Sequence, residues 1–419
     1  MRADQPPKLR TEIPGPLSRE LAARLAQVEC PEVTWQGGPL VFWEKAEGSN
    51  VYDVDGNRYV DLLAGFGVAA LGYAHPELAV RAARQSETLP HAMGDVYPAR
   101  LKVELLETLQ RVLPGSLGLA ILSSSGSDAV ESALKTALVA TGKPGVIAFE
   151  GAYHGLGLGA LDTTWREHFR APFAGRLAGR TTFVPYGDAR TAERAITSDT
   201  GAILVEPIQG RGGLRIPPPG FLAELREIAT RAGVLLICDE VYTGLGRTGA
   251  WLASEHEGVE PDIVALGKAL GCGFPISACV GRPEVMRAWG AAQGEAVHTS
   301  THLGNPLGCA LALLVLQILE RDALAQRARQ LGERALLYLR AELAGAPGVV
   351  EVRGKGLMLG IELETREAAN AAVRGALESG WILLGEGDDG RVLSITPPLT
   401  IAEDVLDGGL VRLVELLSR

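Results

Sequence analysis

Four polar groups in this chain stand directly behind short apolar runs, and together they could carry chemistry. Lys268 follows DIVALG, Asp239 follows VLLIC, Glu206 follows GAILV, and the turn Ser125-Gly126-Ser127 follows LAIL and two further serines. A buried strand that ends in a crevice points its next residues at ligand, not at bulk water. A lysine held there loses part of its preference for the ammonium form and can serve as an amine nucleophile. A carboxylate just past a buried strand is costly unless it is paired. The Ser/Gly turn presents backbone N–H groups and a helix N-terminus, which suit a phosphate, although a plain helix N-cap uses the same residues. An amine, an acid and an anion cradle in one cleft are what pyridoxal phosphate requires: an amine for its carbonyl, an acid opposite its ring nitrogen, and a seat for its phosphate. Glu240, next to Asp239, reads as a structural ion-pair partner.

These residues need a sheet to bring them together. Strand candidates fall at residues 119–122, 146–149, 182–184, 202–205, 234–238, 263–266 and 276–280, with helices at 127–142, 221–232 and 307–320 between or after them. Alternation of this kind indicates an α/β fold with a mostly parallel, doubly wound sheet. Asp128 and Glu131 fit a capping box and Gly142 a C-cap for the first of those helices. Before this region, residues 18–27, 77–86 and 100–112 read as helices, and 48–63 as a hairpin about Asp55-Gly56-Asn57. After about residue 325 a long helix, several short strands and a closing helix indicate a smaller α+β lobe. The expected division is an N-terminal arm and part of the small domain at 1–65, a large domain at 66–325, and the rest of the small domain at 326–419.

The composition fits a folded two-lobed protein: 419 residues, 47% hydrophobic and 21% charged. A net charge of −10 argues against nucleic acid as a partner. The N-terminal stretch is polar and proline-rich, without an apolar signal core, and the longest apolar run is too short to span a bilayer. Five scattered cysteines without metal spacing imply no disulfide framework and no metal site, and hence a cytoplasmic location.

The chain resembles the class III (ω-amino-acid type) aminotransferases, which are fold type I pyridoxal-phosphate enzymes. The resemblance runs from about residue 35 to the end, through GSNVYDVDGNRYVDLLAG (48–65), SSGSDAVESALKTA (124–137), FEGAYHG (149–155), VEPIQG (205–210), DEVYTGLGRTG (239–249), ALGKALGCGFP (265–275), STHLGNP (300–306) and RGKGLMLGIEL (353–363). It implies transfer of an amino group from an amine or ω-amino acid to a 2-oxo acid, in two half-reactions. By that match Lys268 resembles the Schiff-base lysine and Asp239 the partner of the ring nitrogen. Ser125, Gly126 and Ser127 resemble the phosphate cradle, and Tyr153 and Val241 the residues on the two ring faces. Thr301 resembles the residue that reaches the phosphate from a neighbouring subunit, which implies a homodimer with shared sites. His154 is read as structural.

Three positions depart from the pattern. Tyr242 stands where a glutamine often contacts the ring hydroxyl, and His302 where Phe or Tyr often follows the interface threonine. Ser394 stands where many relatives carry an arginine that grips the substrate α-carboxylate and pairs with the glutamate matching Glu206. A serine cannot form a bidentate clamp. Arg166, Arg170, Arg211 and Arg391 are the candidate substitutes, the alternative being a substrate with no carboxylate at that end, such as a plain amine or amino sugar; Glu206, Tyr242 and Ser394 are the expected substrate-side residues. An amino-acid racemase or epimerase on the same scaffold is the alternative.

Overall fold

The computed structural model describes residues 4–34 and 38–418. Residues 1–3 of the expected N-terminal arm lie outside the described residues. From Asp4 onward the arm is tied to segments near both ends of the chain. The Asp4 carboxylate accepts from the N–H of Ser49 and of Ala402, each at 2.9 Å, and Gln5 N–H donates to Asn50 Oδ1.

A four-stranded sheet is formed by β1 (Trp43–Glu47), β2 (Asn50–Asp53) and β3 (Arg58–Asp61), with β13 (Trp381–Ile382) added from the far end of the chain, parallel to β3. The central sheet has seven strands: β4 (Leu119–Ser123), β5 (Gly145–Phe149), β6 (Thr181–Val184), β7 (Thr200–Val205), β8 (Leu235–Asp239), β9 (Ile263–Leu266) and β10 (Ser277–Gly281). From edge to edge they run β4, β10, β9, β8, β7, β5, β6. A third sheet takes β11 (Val349–Lys355), β12 (Met358–Leu363), β14 (Leu384–Glu386) and β15 (Val392–Ile395) in the order β11, β12, β15, β14.

The central strands are apolar because they are covered on both faces. Every residue of β7, β9 and β10 is buried, the pattern of a sheet with helices on both sides. β10 alone runs antiparallel to its neighbours β4 and β9. Only residues 267–276 separate β9 from β10, too few for the crossover that a parallel return needs. The chain must therefore reverse at once, and Lys268 sits in that reversal.

The helix Gly126–Thr141 corrects one expectation. Its N-cap is Ser125, whose Oγ accepts from Asp128 N–H at 3.2 Å. Asp128 and Glu131 form no capping box. Glu131 instead accepts from the N–H of Gly159 and Ala160, holding the next connection. Gly142 does end the helix, at φ 69°, where a Cβ would be strained. The helix Pro306–Arg321 buries eleven of its residues, nearly all apolar, and belongs to the large apolar core shared by the sheets. Among the described residues no helix is long and apolar enough to cross a membrane.

Candidate functional site

Strands β4, β9, β8, β7 and β5 all point the same way, so their carboxyl ends share one edge of the sheet. That edge gathers the Ser125 turn, Lys268, Asp239 and Glu206, the residues singled out by their place after apolar runs, together with Tyr153.

Lys268 is half-buried and takes φ 38°, the left-handed region that a lysine rarely adopts. This backbone aims its amine back across the sheet edge, 4.2 Å from the centre of the Tyr242 ring. Burial lowers its pKa. Asp239 and Glu206 oppose that shift, and Arg211 reinforces it. A larger fraction of reactive neutral amine results.

Asp239 ends β8 and is buried. Its Oδ2 lies 2.8 Å from Nδ1 of His154, and its Oδ1 accepts from Val241 N–H at 3.0 Å. His154 is buried as well, and its Nε2 finds no partner among the described residues. This histidine, read as structural from the sequence, holds the acid of the site. The FEGAYHG stretch contains it, but its spacing alone does not say that it reaches the end of β8, 85 residues away.

The Gly126 position is close-packed. A Cβ there would stand 2.7 Å from Cγ1 of Val241, and one on Gly267 would stand 3.3 Å from the same atom. Glycine at both positions lets Val241 lie directly against the backbone at the start of the helix Gly126–Thr141. Ser127 Oγ accepts from Gly157 N–H at 3.0 Å, and Ser277 Oγ donates to the Ser125 carbonyl at 2.6 Å. These bonds fix the turn. The close glycine approach, the aimed amine, the buried acid with its histidine and the free histidine nitrogen suit a planar phosphorylated pyridine, so the donor set and shape fit pyridoxal phosphate.

The structure gives the substrate-side residues narrower tasks than the sequence indicated. Glu206 Oε1 accepts from Tyr153 N–H at 2.9 Å and Oε2 from Gly210 N–H at 3.1 Å. It braces two loops and pairs with no arginine among the described residues. Burial raises its pKa to about 7, with His154 opposing and Asp239 reinforcing the shift. Tyr242 is buried with its hydroxyl 3.0 Å from Thr396 Oγ1, so its phenol has a partner within the protein and its ring covers the lysine. Ser394 lies on β15, buried, with no hydrogen-bond partner for its hydroxyl among the described residues. Glu240 accepts from Thr243 Oγ1 and from the N–H of Ala253 (3.0 Å) and Ser254 (2.9 Å). Its role is structural, but by hydrogen bonding and not by the ion pair expected of it. Thr301 is exposed and makes no hydrogen bond among the described residues.

The four candidate arginines separate clearly. Arg391 pairs with Glu362 at 2.9 Å and Asp389 at 3.0 Å, and Arg170 packs over the Phe183 ring at 4.9 Å. Arg166 braces Asp388 and the carbonyls of Arg211 and Gly387. Arg211 lies 4.5 Å over the Tyr153 ring, beside Glu386. Glu386 and Gln209 escaped sequence reasoning. Gln209 has a buried Oε1 without a partner and donates to the Glu150 carbonyl, and the VEPIQG run that contains it is the one signal that could have found it.

A family model described as aminotransferase class-III matches residues 34–417. The chain is 39% identical to an acetylornithine aminotransferase of Methanosarcina mazei over 376 residues, covering 89% of this chain and 91% of that one. It is 41% identical to another from Methanopyrus kandleri, covering 88% and 92%. The ornithine aminotransferase of Toxoplasma gondii ME49 superposes with a TM-score of 0.89 at 32% identity, covering 98% and 96%. Another structure of a T. gondii ornithine aminotransferase, at TM-score 0.88, is described with partial occupancy of PLP at its active site.

Proposed function

The chain belongs to the class III aminotransferases and is a pyridoxal-phosphate-dependent enzyme of amino transfer, and from that premise we propose residue roles and a substrate class. The racemase alternative is not favoured by these relatives. When bound, pyridoxal phosphate supplies a carbonyl that takes up an amine and an electron-poor ring that accommodates the electrons released at the substrate carbon.

Lys268 is the amine that holds the cofactor and afterwards moves the proton at the substrate carbon. Its lowered pKa supports both tasks. Asp239, oriented by His154 at 2.8 Å, would hold the ring nitrogen in its protonated form. Ser125, Gly126 and Ser127 seat the phosphate at the helix start. Val241 and Tyr153 would pack against the cofactor ring. Tyr242 and the β15 strand carrying Ser394 close the substrate side and limit water around the lysine.

The observation that carries this reading is the meeting of Lys268, at the end of β9, with the Asp239–His154 pair, at the end of β8. The donor is a primary amine at the end of a chain bearing a carboxylate, by analogy with the acetylornithine aminotransferases above, and the acceptor is a 2-oxo acid. A screen of amine donors tests it. An ω-amino acid should convert the enzyme spectrally to its amino-bearing cofactor form, and a 2-oxo acid should restore it. Loss of substrate chirality without that conversion would reject amino transfer.

The working unit is a homodimer with shared sites, Thr301 reaching the partner's phosphate. Exposed Met93, Val96 and Tyr97 support this. They adjoin the loop of Thr301, where Thr299 Oγ1 donates to Asp95 Oδ2 at 2.9 Å. Large apolar side chains exposed within five residues of one another suit an interface. Light scattering of wild type and of Tyr97→Asp checks it, with monomer expected for the variant. Five free cysteines support a reducing cytoplasm as its location.

A further inference from the structure

Ser394 removes a positive charge from the place where the resemblance expects the substrate carboxylate to be gripped. Its hydroxyl is buried without a partner and offers no charge in exchange. A carboxylate entering this cleft needs a cation elsewhere.

Arg211 is a cation whose charge bears on the Lys268 amine. It is held in an unusual way. Its guanidinium carbon lies 4.5 Å from the centre of the Tyr153 ring and 5.6 Å from that of Phe169. Contact with an aromatic face holds a guanidinium without occupying its donors. Its Nε is out of water and has no hydrogen-bond partner among the described residues. Its nearest acid, Glu386, stands 3.9 Å away, beyond hydrogen-bond reach. About a third of the side chain remains exposed (35%). Arg170 shares this state, packed over Phe183 with its Nε unpaired among the described residues, whereas three other arginines nearby each hold two or more protein groups. Arg166 reaches two carbonyls and Asp388, Arg353 reaches the carbonyls of Leu214 and Gly213, and Arg247 those of Leu357 and Pro397. Arg211 differs from Arg170 in standing beside a buried acid, Glu386, with its guanidinium fork free of hydrogen bonds among the described residues.

Glu386 complements it. The carboxylate is buried on β14, and burial raises its pKa while Arg211, Arg166 and Lys268 oppose the shift. The backbone binds the two segments together, with Gly387 N–H donating to the Arg211 carbonyl at 3.1 Å. Arg211 and Glu386 thus keep their spacing while their side chains stay uncoupled by any hydrogen bond.

We propose that Arg211 is the carboxylate receptor of this site and that Glu386 is its resting counter-charge, displaced when the carboxylate of an amino-acid or oxo-acid substrate fills the guanidinium fork. This rests on the amino-transfer reading for its substrate class. A reactant without a carboxylate leaves the Arg211–Glu386 pair as it stands, while a carboxylate gains the two parallel hydrogen bonds that Glu386 does not make. The loose pair lets one cleft accept two chemically different reactants in turn. The charge arrangement is moved from β15 to the loop after β7 and its partner on β14.

The test uses glutarate, a dicarboxylate with neither amine nor ketone, titrated calorimetrically into the cofactor-loaded enzyme. Arg211→Gln should weaken binding by about tenfold or more, and Arg211→Lys, a charge without the planar fork, should fall between. Glu386→Gln should bind glutarate more tightly, since the competing charge is gone. An Arg211→Gln affinity within about twofold of wild type overturns the proposal. So does wild-type protein that binds no glutarate, or a Glu386→Gln variant weakened as much as Arg211→Gln. Cofactor absorbance and thermal midpoint are read on each variant to show that the fold and the stacked Tyr153 survive. If Arg211→Gln does not fold, the sign of the Glu386→Gln effect decides. Glutarate cannot react, so Arg211-dependent binding in a protein that transfers no nitrogen would reject the amino-transfer reading and leave this one standing.

Discussion

The Nδ1 of His154 lies 2.8 Å from Oδ2 of Asp239, and both side chains are almost wholly out of water. A buried acid with a fixed neighbour is held in one orientation, and at this sheet edge that orientation faces the cleft. Replacing His154 by Phe keeps the volume and removes the contact. The expected result is a fall in kcat of about one to two orders of magnitude with weaker retention of cofactor on dialysis. Single-turnover rates and cofactor absorbance measure both.

Lys268→Ala should abolish turnover, by about three orders of magnitude or more, and remove the borohydride-sensitive absorbance band. The variant should fold as well as wild type, because Lys268 is a half-buried residue whose amine makes no hydrogen bond among the described residues. A thermal midpoint unchanged alongside lost colour separates the chemical role from a structural one.

Gly126→Ala places a methyl 2.7 Å from Val241 Cγ1. The valine is branched and sits beside the backbone, so it cannot swing aside freely. A cost of about 1–3 kcal/mol in stability is expected, with cofactor affinity reduced about tenfold or more as the cradle closes. Urea unfolding and cofactor titration give the two numbers.

Glu240 is held at about pKa 7 by burial, against an ordinary value of 4.5, with its hydrogen-bond donors opposing the shift. The folded state therefore keeps a proton that the unfolded chain releases. Stability from this group is fully present below pH 4.5 and is lost as pH rises through about 7. Glu240→Gln removes the titration, so its urea-unfolding free energy should change less between about pH 5 and 7.5 than that of wild type. Glu240→Ala leaves the N–H groups of Ala253 and Ser254 unpaired and should cost about 1–3 kcal/mol for each buried donor left unsatisfied.

The order of strands and helices in the central region was legible because each element is short, apolar and followed at once by a polar residue. The antiparallel strand β10 was not. Its sequence is as apolar as its neighbours, and direction depends on the length of the connection, a property of the whole chain. The helix cap was misjudged for a related reason: Asp128 and Glu131 have capping-box types, but the helix already begins behind Ser125.

By itself the sequence determined the chemistry. An amine at 268, an acid at 239 and a Ser/Gly turn at 125–127, each behind a buried strand, require a sheet whose carboxyl edge gathers them, since strand ends are where a parallel sheet leaves polar groups unpaired. Charge pairing was decided only by tertiary structure. Glu206 could have met an arginine but is bonded to the N–H groups of Tyr153 and Gly210. Arg211 and Glu386, far apart in the chain, stand 3.9 Å from each other. Coulomb interaction depends on distance through space, and residue spacing along a chain carries no record of that distance until the chain has folded.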